Sequence, residues 1–325
     1  MRVYAKWCDE MGYVAGIDLG GTTAKMGLFS QDEELLEKWE IPTRADDAGA
    51  AILPDIAASL RTYLLRRGAS LCDLVGVGMG IPGAVRGDGY VEPCVNLHGW
   101  GGFDVGHEAS LLCGAPVSVL NDANAAALGE MSRGGGEGFS NVLFVTLGTG
   151  VGGGIVVEGK LLVGSHGAGG EIGHVKVEGT GERCGCGDCD CLECYASATG
   201  IVRSARRALE KGGAVSALRG YERLTCKDVF DCAKKGDVLA GDVVDDAAWT
   251  LGKALAGISC VCDPEVVVVG GGVSRAGEFY LDKVRRAFAE NAFPAMKRTP
   301  VVAARLGNDA GMYGAARFAL TKGLA

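Results

Sequence analysis

Residues 13–30, YVAGIDLGGTTAKMGLFS, decide the fold class. Apolar runs flank Gly20-Gly21, and the β-branched Thr22 and Thr23 follow, so the pattern predicts strand, glycine turn, strand rather than a strand entering a helix. Working outward, residues 46–67 carry Ile56, Leu60 and Leu64 at helical spacing, with Pro54 tolerated near the helix start and Gly68 as its cap. Residues 74–79 form a short buried strand ending in Gly80-Ile81-Pro82-Gly83, and residues 117–120 form another that runs into Asn121-Asp122-Ala123-Asn124, where Asn121 or Asp122 caps an alanine-rich helix. Residues 141–157, NVLFVTLGTGVGGGIVV, repeat the layout of the first hairpin, so two halves of similar plan are expected. Helices at residues 197–209 and 242–262, a strand at 265–269 ended by Gly270-Gly271-Gly272, a strand at 301–306 and a helix at 310–320 complete the pattern. Helix alternating with strand means α/β. The expected division is residues 1–120 with about 308–325 in a smaller domain, and residues 121–307 in a larger one.

A chain of 325 residues suits about two domains. With 48% hydrophobic and 22% charged residues the composition is that of a folded protein, not a disordered one. Lys and Arg number 32 against 40 Asp and Glu, a net charge of −8 with no long basic stretch, which argues against nucleic acid and anionic membrane as partners and for a small ligand. No apolar run is long enough to span a bilayer, and the first ten residues, MRVYAKWCDE, lack the apolar segment of a signal peptide, so a cytoplasmic protein is expected. Glycine is the compositional outlier: 54 residues, where an average chain of this length has about 7%. Eight prolines and no period of three exclude collagen, and clusters beside strands point to phosphate-binding loops.

In Asp18-Leu19-Gly20-Gly21-Thr22-Thr23-Ala24-Lys25 the glycine pair lets backbone N–H groups approach an anion, two hydroxyls can donate to it, Lys25 adds charge, and an acid beside phosphate implies magnesium or its water shell. A plain hairpin turn would explain the glycines but not the rest. The chain lacks the P-loop pattern, and no dinucleotide-binding glycine pattern opens a helix near its start. Gly148-Thr149-Gly150 is a second loop of the same character, and two such loops could grip one triphosphate. Asn121-Asp122 stands where a strand ends and a helix begins, the usual place of ligands in α/β sheets. Asp122 there is either an ordinary helix cap or the base that takes a hydroxyl proton during phosphoryl transfer. Of 13 cysteines, Cys184, Cys186, Cys189, Cys191 and Cys194 fall within eleven residues, with His174 ten residues upstream. A Cys3His zinc site is the natural reading, an iron–sulfur cluster or a reactive thiol patch is the alternative, and spacing by itself leaves the choice open. With four protein ligands the metal is structural, and the second imidazole nitrogen of His174 remains available to a substrate.

Taken in order, these residues resemble a known family. Asp18-x-Gly-Gly-Thr-x-x-Lys25, Asn121-Asp122-Ala-Asn-Ala, Gly148-Thr149-Gly150-x-Gly152, His166-Gly-Ala-Gly-Gly-Glu171-Ile-Gly-His174 and Cys184-x-Cys186-Gly187 through Cys191-x-Glu193 are similar to the ROK family of bacterial sugar kinases, most of all its ATP-dependent glucokinases. The resemblance spans almost the whole chain. It implies an actin-like, hexokinase-like ATPase fold of the ribonuclease H type, with two α/β domains around a cleft, a homodimer or higher assembly, and phosphorylation of a hexose, most simply glucose, at its 6-hydroxyl. Asp122 takes the place of the base. Gly83, Asn96, Asn121, Asp122, Glu171, His174 and Glu193 would hold the sugar. Asp18, Gly20, Gly21, Thr22, Thr23, Lys25, Gly148, Thr149 and Gly150 would hold ATP phosphates with Mg2+, and Gly270, Gly271 and Gly272 would lie near the nucleoside. His174, Cys184, Cys186 and Cys191 would bind a structural Zn2+.

The chain departs from the family pattern at Asp190, where a glycine usually precedes the third cysteine ligand, and the additional Cys189 and Cys194 could compete for the metal. The family also contains repressors with a DNA-binding extension ahead of the first motif; only seventeen residues precede Asp18, too few for one. The remaining alternatives are a kinase for N-acetylglucosamine, N-acetylmannosamine, mannose, fructose or allose, and a non-catalytic sugar sensor.

Overall fold

The opening hairpin forms as its sequence dictates: β1 (Tyr13–Leu19) turns at Gly20-Gly21 into β2 (Thr23–Phe29), pairing Asp18 with Lys25. β3 (Leu35–Pro42) extends it antiparallel. After α1 (Ile52–Arg66), β4 (Leu74–Ile81) returns parallel to β1; a small hairpin of β5 (Tyr90–Val91) and β6 (Phe103–Asp104) leads to α2 (Val105–Cys113). β7 (Val117–Asn121) adds a last parallel strand and runs into α3 (Asp122–Arg133). The sheet order is β3-β2-β1-β4-β7. These elements come from a computed structural model that describes residues 12–213 and 215–323. The signal-peptide reading, which concerns residues 1–10, and the outermost residues of the expected first domain lie outside the described residues.

The second half repeats the plan. β8 (Val142–Leu147) and β9 (Val151–Val157) form an antiparallel hairpin, followed by β10 (Lys160–Leu161), α4 (Glu193–Ala196), α5 (Ala198–Glu210), α6 (Cys226–Lys234) and the long α7 (Val238–Cys262). β11 (Val266–Gly270) lies parallel to β8, and α8 (Gly271–Ser274), α9 (Glu278–Asn291) and β12 (Val301–Ala303) follow. The order β10-β9-β8-β11-β12 matches that of the first sheet position by position. β12 stops at Ala303, short of the expected 301–306, and α7 begins one turn before residue 242, where the Asp237 side chain accepts from Ala240 N–H at 3.0 Å and caps it.

Two units result: Met1–Glu137 with Leu161–Gly169 and Asn308–Ala325, and Gly138–Lys160 with Gly170–Gly307. The first division therefore falls at residue 137, not 121, and α3 stays with the first unit. The reason is packing against α10 (Ala310–Gly323), where backbones meet so closely that a Cβ on Gly314 would lie 1.7 Å from the Ala125 carbonyl oxygen. One core gathers Ile17, Leu28, Leu60 and Met79 in the first unit, and another gathers Val145, Leu251, Val268's neighbours Val267 and Val269, and Phe288 in the second. Among the described residues no helix is long and apolar enough to cross a membrane.

Candidate functional site

In the first unit the singled-out residues collect at the carboxyl ends of three adjacent parallel strands, where α/β sheets present ligand sites. Asp18, next to last in β1, lies beside Gly80 of β4, and Ile81 pairs with Asn121 at the end of β7. Asn121 caps α3: its Oδ1 accepts from Ala123 N–H at 2.9 Å and Asn124 N–H at 3.1 Å, while its Nδ2 donates to the Gly83 carbonyl at 2.9 Å. The cap reading and the site reading thus hold together, since the capping amide also ties down the loop carrying Gly83. Asp122 occupies the first helical position, half-buried, with Oδ1 accepting from Ala123 N–H at 2.8 Å. A helix N-terminus favours the ionised carboxylate, the form a base requires.

Asp18 is close enough to Asp122 to feel its charge. Burial first, and that like charge second, raise its carboxyl to about 6, while Lys25 pulls the other way. Lys25 itself donates to the Asn308 carbonyl at 2.9 Å. The Gly20–Thr22 turn lies against the loop of Asn96, since a Cβ on Gly21 would meet the Asn96 carbonyl at 2.8 Å. Asn96 is exposed.

Three neighbours of these residues escape the sequence reading. Thr43 braces the turn, its hydroxyl donating to Gly20 O at 2.8 Å and its N–H to Thr22 O at 2.9 Å. Buried Cys94 donates its thiol to Pro82 O at 2.7 Å beside Gly83, and burial with the nearby Asp122 charge pushes that thiol up to about 11. Gly311 lets the start of α10 approach the Asp18 carboxylate, which a Cβ there would strike at 2.6 Å. Their partners lie from a dozen to almost three hundred residues away, so no local pattern announces them.

In the second unit Gly148-Thr149-Gly150 forms the β8–β9 turn, with Gly148 N–H donating to Gly150 O at 3.0 Å and Ala198 N–H to Gly148 O at 2.9 Å. Gly271, at φ +84°, lies on the Leu147 backbone, where a Cβ would come within 2.4 Å of its nitrogen, so the Gly270–Gly272 run adjoins this turn. Glu193 opens α4 with one carboxylate oxygen 2.6 Å from the Cβ position of Gly150 and the other accepting from the Cys184 thiol at 2.9 Å. His174 Nε2 stands 3.9 Å from Glu171, while Nδ1 lies 3.6 Å from Cys184 Sγ.

The ligand atoms of His174, Cys184, Cys186 and Cys191 all lie within 4.8 Å of one another. Zinc ligated tetrahedrally at ~2.3 Å by sulfur and ~2.0 Å by nitrogen separates two sulfurs by roughly 3.7 Å and a sulfur from a nitrogen by roughly 3.6 Å. The Cys186–Cys191 sulfur pair stands at 3.7 Å and the Cys184–His174 pair at 3.6 Å, so the four donors fit such an ion. Backbone N–H donation from Asp188 and the neighbouring thiols hold Cys186 down at about 7, while burial pushes the Cys184 and Cys191 thiols up. Cys189 and Cys194 are not in the group. The Asp190 departure has a backbone reason: its φ is +56°, the left-handed conformation that glycine favours and aspartate tolerates.

Compared with known proteins, residues 14–322 match the model of the ROK family. The chain belongs to the ROK family. A relative named glucokinase from Halalkalibacterium halodurans is 43% identical over 309 residues, 93% of each chain. Among solved structures, a ROK hexokinase from Thermus thermophilus is similar with a TM-score of 0.84 at 33% identity, covering 95% of this chain and 98% of its own. A ROK family glucokinase from Streptomyces griseus, in complex with glucose and AMPPNP, is similar with a TM-score of 0.75 at 34% identity, covering 95% and 100%. This ROK family chain therefore has the actin-like, hexokinase-like ATPase fold, and its duplicated sheet order is that fold's signature.

Proposed function

We propose that this ROK family chain is an ATP-dependent hexose kinase that moves the γ-phosphoryl group to the 6-hydroxyl of glucose. The observation that carries the reading is the grouping, at one end of the first sheet, of the Asp18–Thr23 turn, the Gly83 and Asn96 loops, and Asp122 on the start of α3. Asp122 accepts the proton of the sugar hydroxyl as its oxygen attacks phosphorus. Asn121 and Asn96 donate to and accept from neighbouring hydroxyls, and Glu171, His174 and Glu193 are the further sugar partners that the family resemblance implies, a mixture that suits a polyol in which every OH both gives and takes a hydrogen bond. Backbone N–H groups and hydroxyls of Gly20, Gly21, Thr22, Thr23, Gly148, Thr149 and Gly150 hold phosphate oxygens together with Lys25. Gly270, Gly271 and Gly272 leave room for the nucleoside.

Burial and the neighbouring Asp122 charge make Asp18 costly to ionise, which suits a divalent cation, and Asp18 is the residue that would hold Mg2+ or its water shell. When bound, magnesium neutralises charge on the phosphate oxygens. The His174, Cys184, Cys186 and Cys191 set would hold structural zinc, fixing the segment that carries Glu171 and Glu193.

ADP release from magnesium-ATP against glucose, mannose, fructose, allose, N-acetylglucosamine and N-acetylmannosamine tests the reading, with Asp122→Asn alongside. We expect glucose to be preferred, and the variant to lose turnover by about 10²–10⁴-fold while sugar binding by calorimetry stays within a few fold. Retained turnover in Asp122→Asn would remove Asp122 as the base, and no turnover with any sugar in folded, zinc-loaded protein would overturn the kinase assignment.

A further inference from the structure

The residue at which this chain departs from the pattern of its family sits in the middle of the metal loop and is not idle there. Asp190 is half-buried, and a single carboxylate oxygen, Oδ1, accepts from Gly181 N–H at 2.9 Å, from Glu182 N–H at 3.1 Å and from the Tyr195 hydroxyl. Its backbone adds two more ties, Asp190 N–H donating to Glu182 O at 2.8 Å and Val177 N–H donating to Asp190 O at 2.9 Å. The Tyr195 hydroxyl in turn accepts from Thr180 N–H at 2.8 Å. Gly179 completes the fit: a Cβ there would lie 2.2 Å from both Asp190 Oδ1 and the Tyr195 oxygen, so only glycine leaves the space these two atoms occupy. The strap of residues 179–183 is thus clamped on one side by Asp190 and Tyr195. On its other side Glu182 pairs with Arg203 at 3.2 Å and with Arg207, both on α5.

What the clamp fixes is the ligand set. Cys191 follows Asp190 directly, Cys184 follows the strap by one residue, and the Arg183–Cys189 and Lys176–Cys191 bridges frame the turn that carries Cys186. A glycine at 190 satisfies the left-handed backbone but supplies no acceptor, leaving Gly181 and Glu182 N–H groups to water and Tyr195 without its partner. Two explanations of Asp190 are therefore separable. It is a tolerated substitute for glycine, or its side chain performs work on the loop.

We propose that Asp190 is a positioning residue of the metal centre, a side-chain strut that preorganises the loop around His174, Cys184, Cys186 and Cys191 and slows loss of the ion. The proposal rests on the metal assignment above and goes beyond it, because it assigns retention of the metal to a residue that does not ligate it. Groups that orient ligands from outside the coordination sphere commonly change metal affinity by about 10–100-fold.

The test is transfer of zinc from the full-length, zinc-loaded protein to a chromophoric chelator, followed for wild type, Asp190→Gly, Asp190→Asn and Tyr195→Phe. Asp190→Gly is expected to release zinc about 10–100-fold faster than wild type, although its backbone is better suited to the conformation. Asp190→Asn, which keeps an acceptor oxygen and tolerates the left-handed region, should stay within about threefold. Tyr195→Phe, which loses one arm of the clamp, should fall between. Release from Asp190→Gly at the wild-type rate overturns the proposal and leaves Asp190 as a filler of a glycine position, and so does an Asp190→Asn variant as leaky as Asp190→Gly. Should Asp190→Gly fail to fold, Tyr195→Phe carries the test, and a wild-type rate there overturns the proposal equally. Wild-type protein that takes up no zinc defeats the metal assignment itself, whereas equal rates among loaded proteins defeat the strut alone.

Discussion

Asp18 holds its carboxyl at the end of β1 against the Gly311 backbone, where burial and the charge of Asp122 raise it from 3.8 to about 6. A folded value above the unfolded one means that ionisation is harder in the native state. Native stability is therefore favoured below about 3.8, declines as pH rises through about 6, and is constant in this respect above that. Asp18→Asn removes the decline. Urea unfolding at pH 4.5 and pH 7.5 should show the variant gaining on wild type at the higher pH, by no more than about 2 kcal/mol and less to the extent that water reaches this half-buried group. A difference that does not change with pH would mean that Asp18 is not perturbed in this way. The same variant should lose turnover if Asp18 serves magnesium, which sets a cost in stability against a need in chemistry at one residue. The motif residues at this scale were legible because each stands in a local pattern, the glycine turn, the Asn-Asp pair and the cysteine cluster. Thr43, Cys94 and Gly311 were not, because each acts through a partner that lies a dozen to almost three hundred residues away and outside any local motif.

At the scale of elements, composition assigns the excess glycine to phosphate loops, and the turns at Gly20 and Gly148 account for part of it. Another part does different work. A Cβ on Gly16 of β1 would lie 2.0 Å from Met312 O, one on Gly78 of β4 1.8 Å from Ala315 O, and one on Gly129 of α3 2.1 Å from Ala310 O. Glycine is what lets α10 lie directly on the backbone of the first sheet and of α3, with Met312, Ala316 and Ala319 filling the seam. Because the obstacle is backbone and not a movable side chain, Gly78→Ala should cost at least about 3 kcal/mol in denaturant unfolding, at or beyond the usual range for overpacking. Gly87→Ala, where nothing stands within 4 Å of the new Cβ, should stay within about 0.5 kcal/mol and serves as the control. Similar losses for both would show that the close approach is not what Gly78 provides. The sequence pattern identified the final helix and its return to the first half, but an alternation of strand and helix says nothing of how near the two layers come. The same limit explains why the helix after Asn121 was expected in the second domain: its alanines mark a helix, while the glycine that docks it on α10 is a contact between segments almost two hundred residues apart.

At the scale of the whole molecule, two units of matching strand order each own a core, and the metal ligands all belong to one of them. The duplication could be seen in the sequence because both halves open with the same strand, glycine turn, strand layout. Its extent could not, since β3, α2, α6 and α9 carry no motif and rest on ordinary amphipathic patterns. An ion that binds the folded second unit and not its unfolded chain stabilises that unit alone, by ~2.7 kcal/mol at a hundred times its dissociation constant. For a unit of this size that corresponds to roughly 5–10 °C in the midpoint of unfolding. Calorimetry of zinc-loaded protein and of protein treated with a strong chelator should therefore show one component moving down by about that amount while the other keeps its midpoint. Tryptophan fluorescence can assign the components, because Trp39 and Trp100 are buried in the first unit and Trp249 is exposed in the second. Blue-shifted emission from the first pair should survive the temperature at which the metal-free second unit melts. If both components fall together, the units unfold as one cooperative body, and the metal supports the entire chain instead of the half that binds it.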